Sequence, residues 1–116
     1  LAVALGPAAA DAGLAWRFVN ATAEAGLQYE HGYRETFLSE AKATAGGIAA
    51  GDYDGDGRID LYLVRGDIGP NLLFRNRGDG SFDEVGADAG VALDGSFGAG
   101  PHFADVDGDG DLDLLV

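Results

Sequence analysis

The stretch Gly51-Asp52-Tyr53-Asp54-Gly55-Asp56-Gly57-Arg58-Ile59-Asp60-Leu61 returns as Ala104-Asp105-Val106-Asp107-Gly108-Asp109-Gly110-Asp111-Leu112-Asp113-Leu114. Aspartates stand at the first, third, fifth and ninth positions of each copy: Asp52, Asp54, Asp56 and Asp60, then Asp105, Asp107, Asp109 and Asp113. Alternating carboxylates on a tightly curled backbone converge on one point, and like charges that close repel unless a counter-charge is supplied. A hard cation with oxygen ligands supplies it. Calcium accepts about 6–8 oxygens in flexible geometry, whereas magnesium holds to octahedra and keeps its waters, so two calcium (Ca²⁺) sites are expected. The seventh position, Arg58 or Asp111, offers a backbone carbonyl. Gly55, Gly57, Gly108 and Gly110 allow the backbone a positive φ without steric cost. The apolar eighth position, Ile59 or Leu112, is expected to point away from the cation and into the core. The competing reading is a pair of solvated acidic turns holding no ion.

An EF-hand is excluded. That loop needs a bidentate glutamate at its twelfth position and helices on either side. Here the twelfth position is Leu63 or Val116, and the flanks read as strands.

A second element also recurs. Phe18-Val19-Asn20-Ala21-Thr22-Ala23-Glu24-Ala25-Gly26-Leu27 matches Phe82-Asp83-Glu84-Val85-Gly86-Ala87-Asp88-Ala89-Gly90-Val91 at a wider spacing. The first repeat therefore carries a longer connection, within residues 28–42. Repeats of this kind signal a blade or solenoid architecture. The coarse reading is all-β with little helix. Residues 47–50 are short and apolar. Residues 59–64 read IDLYLV, rich in β-formers and apolar on both faces, as a buried strand is. Residues 72–75 and 81–85 are two further strands, separated by a glycine-punctuated turn at 76–80. Residues 22–25 suit one helical turn. Four strands and then the start of another copy match the spacing of a β-propeller blade.

The bulk numbers agree with a modest domain or part of a larger one: 116 residues, 20 of them glycine and 3 proline. The net charge of −13 argues against nucleic acid and anionic membrane surfaces as partners. Nine of the 20 acidic residues lie in the two loops, so a divalent cation in each would remove a large part of that charge. The absence of cysteine excludes disulfides and thiolate sites. Residues 1–10, LAVALGPAAA, resemble the end of a signal-peptide apolar region, the alternative being an unstructured leader. No stretch is long enough to span a bilayer.

The motif D-x-D-G-D-G-x-x-D-L, followed by N-L-L-F-R-N-x-G-D-G-x-F, resembles the FG-GAP or VCBS repeats of integrin α-subunit-type β-propellers. Phe97-Gly98-Ala99-Gly100-Pro101 resembles the segment that names the repeat, with Ala and Gly exchanged, and Thr44-Ala45-Gly46-Gly47-Ile48 departs further from it. Residues 18–31 look like the start of cartilage acidic protein-like proteins. The resemblance implies a seven-bladed propeller, secreted or on the cell surface, with calcium bound at blade loops. It implies the same ligands in this chain: the eight aspartates above, with Arg58 and Asp111 through their carbonyls. Residues 1–15 then read as a leader or signal remnant, 16–45 as an edge strand and long connection, 46–98 as one full blade, and 99–116 as the start of the next. A propeller does not close from so little, so neighbouring blades of a longer chain are the expected partners of this segment.

Two functions are weighed. The first is a calcium-stabilised extracellular, secreted or periplasmic module that binds a protein or glycan. The alternative is the non-catalytic repeat portion of a secreted enzyme such as a polysaccharide lyase or phospholipase. No nucleophile motif accompanies His31 or His102, and nothing pairs Glu24, Glu30, Glu35 or Glu40, so no catalytic residue is assigned. Arg65-Gly66-Asp67 and Arg77-Gly78-Asp79 spell an adhesion tripeptide that is common by chance. Asn20-Ala21-Thr22 is a formal glycosylation acceptor within an element expected to be packed. Trp16, Phe18, Tyr29, Tyr33 and Phe37 are expected to cover a propeller edge.

Overall fold

Strand residues that alternate Asp60, Tyr62, Val64 on one face and Leu61, Leu63 on the other need a layer on both sides, and the chain supplies one to each. The computed structural model describes residues 3–5, 18–34, 45–95 and 98–116. Within them lie eight strands: β1 Val3–Leu5, β2 Phe18–Asn20, β3 Gly47–Gly51, β4 Asp60–Val64, β5 Leu72–Asn76, β6 Phe82–Glu84, β7 His102–Ala104 and β8 Asp113–Leu115. No described residue belongs to a helix. Strands β3 to β6 form one antiparallel sheet in simple chain order, as in a propeller blade. β7 and β8 pair as the opening hairpin of a second. β1 pairs with β2, so residues 3–5, assigned above to a leader, take part in a sheet.

One face of the blade packs Leu63 and Phe74, with Leu61, Leu72 and Phe82 around them, against Ala25 and Leu27 from the preceding repeat. The other face packs Ala49, Tyr62, Val64 and Leu73 against Phe103 and Leu114 of β7 and β8. The blade is therefore sandwiched, which explains why IDLYLV is apolar on both faces.

The second repeated element folds the same way twice. The Ala25 N–H bonds to the Ala21 carbonyl, that of Gly26 to Ala23, and that of Leu27 to Thr22. Ala89, Gly90 and Val91 bond to Val85, Ala87 and Gly86 in the same pattern. Each is one helical turn closed by a glycine in the left-handed region, with φ of 73° at Gly26 and 75° at Gly90. The first turn then receives the Phe82 N–H on the Ala25 carbonyl at 2.9 Å. The second is held by Tyr62, whose buried hydroxyl donates to the Val91 carbonyl at 2.8 Å and accepts from Asn71 Nδ2 at 3.0 Å. Burial pushes the Tyr62 phenol above its ordinary range, so it stays a donor.

Successive repeats meet along their first strands. Gly46 bridges Ala99 in parallel, its N–H reaching the Gly98 carbonyl at 3.0 Å and its carbonyl accepting the Gly100 N–H at 3.1 Å. The two segments compared above with the repeat's name-giving motif thus lie side by side. Phe97 itself is outside the described residues. A Cβ at Gly51 would sit 2.8 Å from the Phe103 ring, so the β3–β7 approach depends on the missing side chain.

Tyr62→Phe removes the bond to Val91 and leaves the buried Asn71 amide short of an acceptor. It should destabilise the chain by about 1–3 kcal/mol in a urea melt.

Candidate metal centres

The first loop hangs between β3 and β4 and curls on its own carboxylates. Asp52 accepts the Asp56 N–H on Oδ1 at 3.0 Å and the Gly57 N–H on Oδ2 at 2.8 Å. Asp56 accepts the Arg58 N–H at 2.9 Å. The second loop curls alike between β7 and β8. Asp105 accepts from Gly108 at 2.7 Å and from Gly110 at 3.1 Å, and Asp107 and Asp109 accept from Asp109 and Asp111. Glycines at Gly55, Gly57, Gly108 and Gly110 all have positive φ, which permits the curl.

The result is convergence. One carboxylate oxygen from each of Asp52, Asp54 and Asp56 lies within 4.8 Å of the others, and Asp105, Asp107 and Asp109 form an equal group. The donors are all oxygen, which suits a hard cation. The Asp54 carboxyl is pushed above its ordinary range, first by desolvation and then by the charges of Asp56 and Asp60. The folded loop therefore holds that proton more tightly than the unfolded chain does. Stability falls as pH rises from the ordinary aspartate range through the raised value, and a cation beside Asp54 opposes that loss.

Asp60 and Asp113 stand outside these groups. Asp60 is fully buried at 0% exposure, and both its oxygens are engaged. Oδ1 accepts the Asn76 N–H at 2.8 Å and Oδ2 the Tyr53 N–H at 3.2 Å. Asp113 Oδ2 accepts the Val106 N–H at 3.0 Å, the counterpart of the Tyr53 bond. An ionised carboxylate has about four lone-pair positions, so two amide bonds leave acceptor capacity for a cation. Arg58 and Asp111 lie exposed at the seventh positions.

The expectation for the eighth position is overturned. Ile59 is 53% exposed and Leu112 36% exposed, while the ninth-position Asp60 is the buried residue. β4 begins at Asp60, and its pleat places Asp60 on the face of Tyr62 and Val64, leaving Ile59 outside.

The aspartate spacing does not show that Asn76 and the Arg58 side chain brace the first loop. Asn76 donates from Nδ2 to the Ile59 carbonyl at 3.0 Å, and Arg58 Nε donates to the Asn76 carbonyl at 2.9 Å. The Arg58 guanidinium also pairs with Asp56. The sequence signal for Asn76 is its place at the glycine-punctuated turn.

The other weighed residues are placed less eventfully. Arg65 Nε donates to the Glu30 carbonyl and Asp67 accepts the Arg34 N–H, while Arg77 pairs with Asp83 and Asp79 accepts from Ser81. Both adhesion-like tripeptides thus spend their charged groups within the chain. His31 lies edge-on to Tyr33, with ring centroids 5.3 Å apart, and His102 is exposed. Asn20 is exposed rather than packed, and its Oδ1 accepts the Thr22 N–H. Phe18 and Tyr29 are exposed, and the Tyr33 hydroxyl donates to the Ala45 carbonyl. Trp16, Phe37, Glu35 and Glu40 lie outside the described residues. No helix among the described residues is long and apolar enough to cross a membrane.

Comparison with known proteins gives a family match and a set of relatives. The FG-GAP-like repeat model matches residues 52–116. Human cartilage acidic protein 1 is 37% identical over 76 residues, covering 65% of this chain and 11% of the relative. The mouse protein of that name is 36% identical over 76 residues, and the Xenopus tropicalis protein 36% over 75. The chain thus spans only 11–12% of the length of these relatives. No solved structure matches significantly.

In metal-free buffer, Asp60→Ala should cost about 2–4 kcal/mol in a denaturant melt, because two backbone N–H groups lose a charged acceptor. Asp54→Ala, which relieves repulsion, should be neutral or stabilising in the same melt.

Proposed function

The chain belongs to the FG-GAP-like repeat family, and on that footing we propose that it is part of a seven-bladed, extracellular β-propeller that binds a protein or glycan and is fastened by calcium. Convergence of two carboxylate triads, each at the tip of a blade's first hairpin, is the observation that carries this reading. Asp52, Asp54, Asp56 and Asp60 would hold one ion with the Arg58 carbonyl. Asp105, Asp107, Asp109 and Asp113 would hold another with the Asp111 carbonyl. The ion's part is structural: it supplies the positive charge that the clustered carboxylates need, and so stabilises the curled loop.

The family and the cartilage acidic protein relatives support an interaction module without catalysis, acting outside the cell. The four-stranded blade, sandwiched between parts of its neighbours, supports the propeller. The described residues offer no histidine or cysteine within either acidic group, consistent with a hard-cation site. In this reading the binding surface for the partner lies on the assembled propeller, and the loops hold the blades that present it.

Calcium should raise the thermal midpoint. Binding at a hundredfold excess over Kd adds about 2.7 kcal/mol per site. For a domain of this size that corresponds to a rise of roughly 10 °C or more. Asp54→Ala combined with Asp107→Ala should abolish the rise. An unchanged midpoint at millimolar calcium in the unmodified chain would contradict the reading.

A further inference from the structure

Where the two loops differ, the seventh position alone exchanges a charge. The first carries Arg58 at the seventh position where the second carries Asp111, a positive group against a negative one. The Arg58 side chain lies across the β5–β6 turn. Its Nε donates to the Asn76 carbonyl at 2.9 Å, and its terminal nitrogen pairs with Asp56 Oδ2. Space for it is made by Gly78, where a Cβ would sit 2.9 Å from Arg58 Cδ. Asn76 in turn holds Asp60 through its N–H and the Ile59 carbonyl through its amide. The guanidinium is therefore bound into the same set of contacts that fixes the start of β4. Among the described residues, no arginine or lysine pairs with a carboxylate of the second loop, which is held by backbone N–H groups alone.

We infer that Arg58 is a resident counter-ion that makes the two loops unequal toward calcium. It holds the first loop in shape without metal and weakens that loop's affinity, so the second loop fills first. This rests on the calcium reading above. Two physical terms act in the same direction. The guanidinium repels an incoming divalent cation and occupies an oxygen of Asp56, one of the three convergent carboxylates. The second loop carries the negative Asp111 at this position instead. A change of two charge units within a few ångströms of a divalent ion shifts affinity by on the order of tenfold or more, even at solvent-exposed dielectric.

Calorimetric titration with calcium chloride tests this on the whole chain. Asp54→Ala leaves only the second loop competent, and Asp107→Ala only the first. The second loop should bind about tenfold more tightly than the first. Arg58→Gln in the Asp107→Ala background should tighten the first loop by about tenfold. In EDTA, Arg58→Gln should speed amide hydrogen exchange at Gly57 and at the backbone amide of position 58, while Arg58→Lys, which keeps the charge, should leave calcium affinity low. Equal affinities of the two loops, or an unchanged affinity in Arg58→Gln, would overturn the inference while leaving the calcium reading intact. No binding heat in the unmodified chain would overturn both.

Discussion

The buried carboxylate of Asp60 is the interaction on which the blade depends. It is fully buried, and it accepts one N–H from inside the aspartate loop and one from the far end of β5. A single side chain thereby joins the loop, the first residue of β4 and the turn that leads to β6. Burying an ionised group without partners is costly, so both N–H groups are needed where they are. Register in the central pair follows from this fixed start, which places Tyr62 and Val64 on one face and Leu61 and Leu63 on the other. Slipping that register by one residue would exchange the two faces and bring Ile59 inside in place of Asp60.

From that point the packing builds outward in both directions. The face with Leu63 and Phe74 receives the glycine-closed turn of the preceding repeat, and the face with Tyr62 and Val64 receives the hairpin of the following one. The close approach of first strands at Gly46 and Gly51 sets their spacing. Each repeat therefore supplies the layer that its neighbour lacks, which is how repeat proteins generally reach stability. The aspartate loops sit at the ends of the hairpins, where the carboxylates of Asp52, Asp54 and Asp56 and of Asp105, Asp107 and Asp109 gather.

Much of this was legible in the residues. The paired loops, the four short strands and the recurrence of the glycine-closed turn all lie in local patterns, and the structure places them where those patterns predict. Ile59 lies outside although it is apolar, because the pleat of β4 turns Asp60 to the inner face instead. Asp60 enters the interior by accepting the N–H of Tyr53, within its own loop, and that of Asn76, which is 16 residues away at the end of β5. Long-range contacts of this kind, including Tyr62 with Asn71 and Val91, leave no spacing signature. The loop spacing marks Arg58 only for its backbone carbonyl, because the contact of its guanidinium with the Asn76 carbonyl joins two segments 18 residues apart. The pairing of Val3–Leu5 with Phe18–Asn20 was hidden by an alanine-rich context that reads as a leader.

Calcium in the first loop, as proposed, would act on the register of the blade through Asp60, which holds the Tyr53 and Asn76 amides. Residue-resolved amide hydrogen exchange, with and without calcium, reads that coupling amide by amide. Calcium should slow exchange at Asp56 and Gly57 in the loop and also at the Tyr53 and Asn76 amides held by Asp60. Protection confined to the loop, with Asn76 unchanged, would contradict it.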